Sequence, residues 1–314
     1  MVNIDMPVLS ASLVLFHTKP ELYVPAIQSF LDGLKNGFLI VLDNSAEPTT
    51  HPIFNNPCVH YIFHGRNVGF GAGHNIAFSH CYGKSDFHLV LNPDVEFENP
   101  VLPSLTALLK TNAEISAVMP RIIYPDGSMQ QLCKLLPTPA DLLIRRFIPS
   151  PFKTIVEHLN QRYELHGLRQ DRLSDVPVLS GCFLLVRTRL LEQLGGFDER
   201  YFMYMEDVDL IRRLNKLGRI VYMPLVTVSH VYAKESYRNR RLLMYHLKSA
   251  IKYFNKWGWF FDKERRSRNQ TALMLLKISK EEIIYFPEIR AKDSSKSAEF
   301  GRNAKSNDEN ALIE

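Results

Sequence analysis

Three acidic residues stand together at the start of a candidate helix. Glu206, Asp207 and Asp209 open the amphipathic part of "YFMYMEDVDLIRRLNKLG", residues 201–218. A carboxylate at the mouth of a cleft can act as a general base that removes a proton from a hydroxyl group. Acids in a first helical turn also complement the helix dipole and the unpaired N–H groups. Both interpretations are open at this point.

The apolar stripe of this helix predicts which acid faces inward. The stripe consists of Leu210, Ile211, Leu214 and Leu217. Asp207 lies three and four residues before its first members, so we expect the Asp207 side chain on the buried face and those of Glu206 and Asp209 at the sides. Asp209 is spaced to pair with Arg212 or Arg213 in the next turn.

Two further residues could bind a cation. Asp94 follows an apolar run in "LVLNPDVEF", residues 89–97, and a hard divalent ion often takes one or two carboxylates together with substrate phosphates. Asp94 could equally be a turn residue. His230 lies in the apolar stretch "VTVSHVY", where a histidine is either a hydrogen-bonded core residue or a ligand.

The glycine-rich stretch "NVGFGAGHNIAF", residues 67–78, is the candidate phosphate loop. Its glycines are spaced GxGxG, so the dinucleotide fingerprint GxGxxG is not met. The "GKS" at residues 83–85 lacks the earlier glycine of a Walker loop, because Phe78 stands in its place. The stretch precedes a helix, so its backbone either wraps a nucleotide or simply turns tightly.

The elements that would position these residues follow a βαβ rhythm. Strands are predicted at 12–16, 38–43, 59–63 and 87–92, with helices at 21–36 and after Gly73. This alternation predicts a mostly parallel sheet, in which ligands bind beyond the carboxyl ends of the strands. "LDNSAE" and "LNPDVEF" fall at such ends.

The sequence also predicts how the chain is divided into domains. Residues 1–235 are expected to form one domain with two parts, at about 8–125 and at about 126–235. Residues 236–290 are expected to form a basic helical extension, and residues 291–314 a disordered tail, because the tail has few large apolar residues.

The composition is that of a globular protein. The chain has 314 residues, 46% of them hydrophobic, and its longest apolar runs are too short to cross a bilayer. Its four cysteines form no CxxC pair, so we expect reduced thiols and a cytoplasmic location.

The formal charge of +5 is concentrated in one segment. Residues 234–268 contain eleven Lys and Arg against three Asp and Glu. This segment ends in the aromatic residues Trp257, Trp259, Phe260 and Phe261. Basic helices with aromatic anchors are typical of membrane surfaces, so residues 238–268 are a candidate for peripheral contact with the inner face of the cell membrane. An ordinary packed helix is the alternative. Nucleic acid is not expected, because the aromatic residues cluster at one helix end.

Five segments together resemble the family 2 glycosyltransferases, and within them the rhamnosyltransferase-like branch that decorates bacterial surface polysaccharides. They are "VLDNSA", "RNVGFGAGHNIA", "LVLNPDV", "LSGCFLLVRTRLLEQLGGFDERYFMYMEDVDLIRRLNKLG" and "VSH". They occur in order over residues 8–260. The resemblance implies an α/β fold of the GT-A type, with a mixed, mostly parallel sheet flanked by helices and a C-terminal helical extension.

The resemblance also implies roles for residues. Asp207 matches the catalytic base, and Glu206 would orient the acceptor or the backbone. Asp94 and His230 match the metal ligands, although Asn92 stands where the family's Asp-x-Asp motif has its first acid. The implied donor-binding residues are Asp43, Asn44, Arg66, Asn67, Gly69, Gly71, Asn75, Asn92 and Gly181.

The implied activity is inverting sugar transfer assisted by Mg²⁺ or Mn²⁺. The favoured donor is dTDP-L-rhamnose, and the favoured acceptor is a glycan on a polyprenyl diphosphate lipid, as in O-antigen synthesis. The alternatives are galactofuranosyl or N-acetylhexosaminyl transfer from a UDP-sugar, and a degenerate module that binds a sugar nucleotide without catalysis.

Overall fold

The computed structural model describes residues 8–142, 153–231 and 240–285. The chain divides into two compact units, Met1–Ala272 and Leu273–Glu314. The predicted tail at 291–314 and the first residues of the predicted extension, 236–239, lie outside the described residues. The sheet, the candidate site and the basic segment considered below belong to the first unit.

The described strands number nine, and their bounds agree closely with the apolar runs of the sequence. They are β1 (Leu9–Leu15), β2 (Gly37–Asp43), β3 (Val59–Phe63), β4 (Phe87–Leu91), β5 (Val95–Glu96), β6 (Ile115–Ile123), β7 (Ser174–Asp175), β8 (Phe183–Arg187) and β9 (Arg219–His230).

The described helices alternate with these strands. They are α1 (Pro20–Gly33), α2 (Phe70–Ser79), α3 (Val101–Thr111), α4 (Lys153–Tyr163), α5 (Thr188–Leu194), α6 (Glu206–Leu214), α7 (Arg240–Trp257) and α8 (Lys263–Tyr285). The helix that was predicted to begin after Gly73 begins at Phe70, so part of the glycine-rich stretch is helical.

The strands form one mixed sheet in the order β3-β2-β1-β4-β8-β6-β9-β5, and β7 pairs with β9. β1 lies parallel to both β2 and β4, whereas β8 runs antiparallel to β4 and β6. The fold prediction of a mixed, mostly parallel sheet between helices is confirmed. β1, β2, β4 and β8 are almost wholly buried, because helices cover the sheet on both sides.

This topology brings several strand ends to one edge of the sheet. Leu15 lies beside Asp43, where β1 and β2 end together. β4 ends at Leu91, which pairs with Phe183 at the start of the antiparallel β8. β9 is parallel to β6 and ends at His230. Residues that follow β2 and β4, precede β8 or end β9 are therefore neighbours.

The basic helix α7 packs on the body of the first unit. Ala250, Tyr253 and Phe254 of α7 join a buried cluster with Tyr201, Met205 and Val208, next to the start of α6. Ser249 Oγ donates a hydrogen bond of 2.8 Å to the carbonyl oxygen of Met203. Helix α7 therefore supports the segment that leads into α6.

One buried arginine joins α6 to the turn after α7. Arg212 is 2% exposed and donates to both carboxylate oxygens of Asp262 at 2.7 and 2.6 Å. Its guanidinium also lies 4.2 Å from the ring centroid of Trp257, within cation–π distance. Trp257, one of the four aromatic residues of the basic segment, therefore packs inward. Among the described helices, none combines the length and the apolar character needed to cross a bilayer.

Candidate functional site

Asp43 stands at the carboxyl end of β2 and is fully enclosed. Its Oδ1 accepts a hydrogen bond from the backbone N–H of Ser45, and its Oδ2 accepts from Thr49 N and from the Tyr61 hydroxyl at 2.7 Å. Burial opposes the charged form, but these hydrogen bonds together hold the pKa of the Asp43 carboxyl below its usual range. The Asp43 side chain is therefore ionised, and its hydrogen bonds hold the loop after β2.

Asn44, Asn67 and Gly69 come together beside Asp43. Asn44 Nδ2 donates to the carbonyl oxygen of Gly69 over 3.2 Å, and Asn67 Oδ1 accepts from the Gly69 N–H over 2.9 Å. The Oδ1 atom of Asn44 is buried, and it has no hydrogen-bond partner within the part of the chain that the structure describes. An unpaired buried acceptor at a strand end is a candidate contact for a ligand.

The glycine-rich stretch is partly helical. Gly71 and Gly73 lie inside α2, where the helix approaches its neighbours closely. An added Cβ at Gly71 would lie 2.9 Å from the Cβ of Phe197, and one at Gly73 would lie 3.1 Å from Val14. Close packing therefore accounts for glycine at both positions, and the donor contact of Gly71 stays a prediction.

Asn75 of α2 is bonded to the segment after the Gly-Gly turn. Its Nδ2 donates to Phe197 O and Glu199 Oε1, and its Oδ1 accepts from Phe197 N at 2.8 Å. These bonds tie α2 to that turn, and the donor contact of Asn75 stays a prediction. Arg66 is exposed, and its Nε contacts His64 Nε2 at 3.4 Å.

The predicted cation ligands are brought together by a short antiparallel pairing. Val95 of β5 pairs with His230 of β9, and the Val231 N–H donates to the carbonyl oxygen of Asp94. The Nε2 atom of His230 lies 3.3 Å from Oδ1 of Asp94. Asn92 Oδ1 is buried and lacks a hydrogen-bond partner in the described ranges. The two predicted metal ligands and the predicted donor-binding residue Asn92 therefore share one small region of the edge.

Gln130 holds the histidine from behind, and sequence reasoning missed it. Gln130 is 3% exposed, its Oε1 lies 2.9 Å from His230 Nδ1, and its Nε2 donates to the carbonyl oxygen of His230 over 2.7 Å. This arrangement favours the tautomer with the proton on Nδ1 and directs Nε2 toward Asp94. The sequence offers no signal for this contact, because Gln130 lies 100 residues before His230.

The neighbours of His230 favour its protonated form. Burial opposes a charged imidazole, but the hydrogen bonds and charges of Asp94 and Cys182 raise the pKa of His230 to about 10. In the described part of the chain, His, Cys, Asp and Glu residues form no cluster of three or more that could hold a metal ion. A cation bound beside Asp94 and His230 would have to displace the Nε2 proton of His230 and take most of its ligands from a bound diphosphate, because these two residues could supply only two.

Asp207 faces the same edge from the start of α6. Its Oδ2 accepts a hydrogen bond from the backbone N–H of Gly181 over 3.2 Å, and an added Cβ at Gly181 would lie 3.2 Å from the Cβ of Asp207. The next residue, Cys182, accepts from the Asn92 N–H through its carbonyl oxygen at 2.8 Å. Gly181 and Cys182 therefore bridge Asp207 to the Asn92–Asp94 turn.

The prediction for the other two acids of α6 is wrong. Glu206 is 5% exposed and Asp209 is wholly buried, whereas Asp207 is only partly buried. Asp209 pairs with Arg213, as its spacing predicted, and also with Lys256 Nζ at 2.6 Å. Asp209 is thus structural. Helix α6 is covered on more than one side, so its apolar stripe does not mark its only buried face.

Glu206 has an unusual environment. Its Oε2 atom is buried and has no hydrogen-bond partner among the residues described, and burial together with the charge of Asp207 raises the pKa of Glu206 to about 8. The two residues before it, Tyr204 and Met205, have φ angles of 68° and 69°. Consecutive left-handed residues without glycine are strained, and such strain is often found at functional sites.

The fold defines the class of the protein. A mixed, mostly parallel sheet flanked by helices, with several strand ends at one edge, is of the GT-A type. Solved structures with this fold resemble the chain. One of them, "GalNAc-T7 with UDP, GalNAc and Mn2+", matches 72% of this chain and 43% of its own, with a TM-score of 0.55 and 13% identity.

A second solved structure covers more of both chains. The mannosyltransferase PcManGT from Pyrobaculum calidifontis, in complex with GDP-Man and Mn²⁺, matches 93% of this chain and 80% of its own at 13% identity, with a TM-score of 0.50. At these identities the likeness concerns the fold alone.

The chain belongs to glycosyltransferase family 2. The sequence pattern of the family described as "Glycosyl transferase family 2" matches residues 24–195. That range contains Asp43, Asp94 and Gly181, but it ends before Asp207 and His230. The family match therefore does not extend to Asp207 and His230.

Two curated relatives are rhamnosyltransferases. The N-acetylglucosaminyl-diphospho-decaprenol L-rhamnosyltransferase of Mycobacterium tuberculosis (strain ATCC 25618 / H37Rv) is 34% identical in an alignment of 202 positions that covers 58% of this chain and 62% of that protein. The rhamnosyltransferase WbbL of Escherichia coli (strain K12) is 30% identical over 210 residues, 62% of this chain and 75% of that protein. The match thus spans less than two thirds of the mycobacterial relative.

Proposed function

We propose that this protein is an inverting glycosyltransferase that moves L-rhamnose from dTDP-L-rhamnose to a glycan acceptor carried on a polyprenyl diphosphate lipid. The observation that carries the proposal is the bridge formed by Gly181 and Cys182, which places Asp207 beside the turn that holds Asp94. A base and a diphosphate-binding group must lie on opposite sides of one reacting carbon atom, and this bridge joins candidates for both.

Asp207 is proposed as the catalytic base. An acceptor hydroxyl loses its proton as it attacks the anomeric carbon, and inverting transfer requires one such base on the acceptor side. The Asp207 carboxylate is partly exposed, and Gly181 N–H and Val208 N–H hold its two oxygens. These two donors fix the orientation of the carboxylate, and the partial exposure lets an acceptor reach it.

Asp94 and His230 are proposed as the protein ligands of Mg²⁺ or Mn²⁺, and Asn92 as a donor contact beside them. A divalent cation bound there would neutralise the charge of the departing diphosphate. Gln130 holds the His230 ring, and the buried Asn92 Oδ1 provides a further oxygen atom at the same turn. Only two charged ligands are offered, so we expect metal binding to be strengthened strongly by the donor diphosphate.

The nucleotide is proposed to bind over the ends of β1 and β2. Asp43 is already bonded to its own loop, so we infer that it shapes the base pocket and that the unpaired Asn44 Oδ1 makes a direct contact. The donor sugar and the acceptor class are inferred from the rhamnosyltransferase relatives, one of which is named for a diphospho-decaprenol acceptor.

Donor hydrolysis and binding across four sugar nucleotides would test the proposal. The purified chain is incubated with dTDP-rhamnose, UDP-galactofuranose, UDP-N-acetylglucosamine and UDP-glucose, each with Mn²⁺, with Mg²⁺ and with EDTA. We expect metal-dependent hydrolysis of dTDP-rhamnose alone. Selective use of a UDP-sugar would keep the enzyme class but refute the rhamnosyl assignment, and binding without any turnover would favour a degenerate module.

The Asp207→Asn variant tests the base separately. With a lipid-linked acceptor, transfer by this variant should fall by about 10²- to 10⁴-fold, the usual contribution of general base catalysis. Donor binding should be retained, because Asp207 lies on the acceptor side. Transfer at the wild-type rate would refute the role of Asp207 while leaving the fold assignment intact.

A further inference from the structure

The basic helix α7 has one exposed face of mixed cationic and apolar character. The exposed side chains of this face are those of Arg241, Met244, Lys248, Ile251, Lys252 and Asn255. Their spacing of three and four residues places them along one side of the helix. Met244 is 51% exposed and Ile251 is 50% exposed, so large apolar groups lie open between the cations. We call these six residues the basic face.

The charge of α7 has one sign. The helix contains five Lys and Arg residues and no Asp or Glu. Its last cation, Lys256, is already paired with Asp198 at 2.7 Å and with Asp209. The basic face adds the positive charges of Arg241, Lys248 and Lys252 to an exposed surface, and Lys252 Nζ donates a hydrogen bond to the carbonyl oxygen of Arg200. A negatively charged partner is favoured.

The basic face continues into a rigid turn that presents two phenylalanines. Phe260 is 74% exposed and Phe261 is 94% exposed. The Nε1 atom of Trp259 donates to Asn255 Oδ1 at 2.9 Å, which connects the turn to the end of the basic face. The indole of Trp259 packs against the buried cluster, as does that of Trp257. Of the four aromatic residues, the two tryptophans therefore face inward and the two phenylalanines face the solvent.

The backbone of this turn is held at several points. Arg265 Nη2 donates to the carbonyl oxygen of Trp259 at 3.0 Å, and Asp262 forms the buried ion pair with Arg212. A turn fixed on both sides of two exposed aromatic rings loses little conformational entropy when those rings are buried against a partner. The exposure of Phe260 and Phe261 is thus a stable property of the fold.

A small pocket opens on the same side. It has a volume of about 290 Å³ and is lined by Arg200, Lys252, Asn255 and Lys256. Asp198 partly neutralises it through its ion pairs with Arg200 and Lys256. Two members of the basic face, Lys252 and Asn255, therefore also line a pocket with an excess of positive charge, which suits a phosphate group.

From these observations we infer that the basic face and Phe260–Phe261 form a docking surface for an anionic membrane. The cations would attract lipid phosphates, and the two phenylalanine rings, with Met244 and Ile251, would enter the boundary between headgroups and acyl chains. An anionic bilayer fits both halves of the surface, because it supplies negative charge and an apolar layer in one plane.

Flotation of the full chain with vesicles tests this inference. Vesicles of phosphatidylglycerol mixed with phosphatidylcholine are compared with vesicles of phosphatidylcholine alone, in about 0.05 M and about 0.5 M NaCl, because salt screens exposed charges. We expect flotation with the anionic vesicles at low salt and its loss at high salt.

The Phe260→Ser/Phe261→Ser variant should bind at least about tenfold more weakly, since two large apolar groups no longer enter the interface. Lys248→Gln/Lys252→Gln should weaken binding and reduce its salt dependence.

Leu225→Ser is the matched control, because Leu225 is a 58% exposed apolar residue of β9 outside this surface. It should float like the wild type. Donor hydrolysis without vesicles should be equal in all four proteins, which separates this inference from the proposed reaction. Equal flotation of the phenylalanine variant and the wild type would overturn the inference. So would a dimer of the wild type in solution that the phenylalanine variant dissociates, because the surface would then be an interface between two copies.

Discussion

The backbone N–H of Gly181 donates a hydrogen bond of 3.2 Å to Oδ2 of Asp207, and a Cβ added at Gly181 would lie only 3.2 Å from the Cβ of Asp207. Gly181 precedes β8, and Asp207 begins α6, so the contact joins the sheet edge to the helix that carries the proposed base. The position of the carboxylate thus depends on a residue that has no side-chain chemistry of its own.

The first prediction concerns the Gly181→Ala variant. The new Cβ would lie 3.2 Å from the Cβ of Asp207 and 3.5 Å from the Phe70 ring, so Asp207 must shift to make room. A displacement near 1 Å can lower the rate of catalysis by about 10²-fold, and the shift required here is a few tenths of an ångström. We therefore expect kcat for transfer to fall by about two- to tenfold, with a much smaller change in the KM for the donor.

Steady-state kinetics with separate variation of donor and acceptor would measure this effect. A thermal unfolding curve of the same variant shows whether the fold is retained. An unchanged kcat would mean that Asp207 tolerates displacement and is not a positioned base.

The second prediction concerns Gln130, which we describe as a positioning residue. Replacing Gln130 by Leu removes both hydrogen bonds to His230 while keeping the size of the side chain. Loss of such a partner behind a metal ligand usually weakens metal affinity by about 10- to 100-fold. The Mn²⁺ concentration for half-maximal donor hydrolysis should rise by that factor, and Mn²⁺ binding measured by electron paramagnetic resonance should weaken in parallel.

Thr227→Val provides the control for Gln130. Thr227 lies on the same strand and accepts a hydrogen bond from Arg121 Nε, so its loss perturbs the β6–β9 pairing without touching His230. A metal dependence that changes equally in both variants would indicate a general effect on the sheet.

The third prediction uses the buried acid Glu206. Its pKa is raised to about 8 from the ordinary value of 4.5, by burial first and by the charge of Asp207 second. The folded protein therefore binds a proton that the unfolded chain releases between these two pH values. Stability from this group is present below pH 4.5 and is lost as the pH rises through 8, at up to about 1.4 kcal/mol per pH unit.

Glu206→Gln keeps the shape of the side chain and cannot ionise. Its free energy of unfolding relative to wild type should therefore increase steadily between pH 5 and pH 8. Urea unfolding at several pH values gives the comparison, and Glu96→Gln, at an exposed position, is the control. A difference that does not change with pH would show that Glu206 is ionised in the folded protein.

Much of the sheet edge could be predicted from the sequence. Asp43 and Asp94 lie where apolar runs end, and the ends of parallel strands meet at one edge of a sheet. The alternation of strands and helices therefore predicts that these two residues lie at the same edge. The pairing of Asp209 with Arg213 follows in the same way from helical spacing. These predictions needed only local information.

Other features depend on contacts between distant segments. The periodicity of α6 assigned one buried face, but α2 approaches Glu206 and the segment after α7 covers Arg212, so the helix is enclosed from several directions. The glycines of the stretch 67–78 were spaced as in a loop, whereas their spacing reflects close packing of α2. Gln130 was missed because a hydrogen bond across 100 residues leaves no pattern in the sequence.

The last prediction compares two glycines that both adopt positive φ angles. Gly69 has φ +92° and Gly83 has φ +65°. Alanine at either position would be strained by about 1 kcal/mol or more, because a Cβ disfavours this region. At Gly83 no other atom lies within 4 Å of the added Cβ, whereas at Gly69 the Cβ would lie 2.1 Å from the carbonyl oxygen of Phe202.

The clash at Gly69 involves backbone atoms, which cannot rotate away as a side chain can. Phe202 O also accepts the N–H of Phe70, and Phe202 leads through the strained pair Tyr204 and Met205 into α6. Gly69→Ala should therefore destabilise the protein by at least about 2 kcal/mol more than Gly83→Ala, within the range expected of forced overlap in a packed region. It should also lower transfer activity under conditions where the protein remains folded, because the displaced segment carries Asp207. Equal urea midpoints and equal activities for the two variants would show that the segment before α6 yields freely, and that its left-handed residues do not hold the base in place.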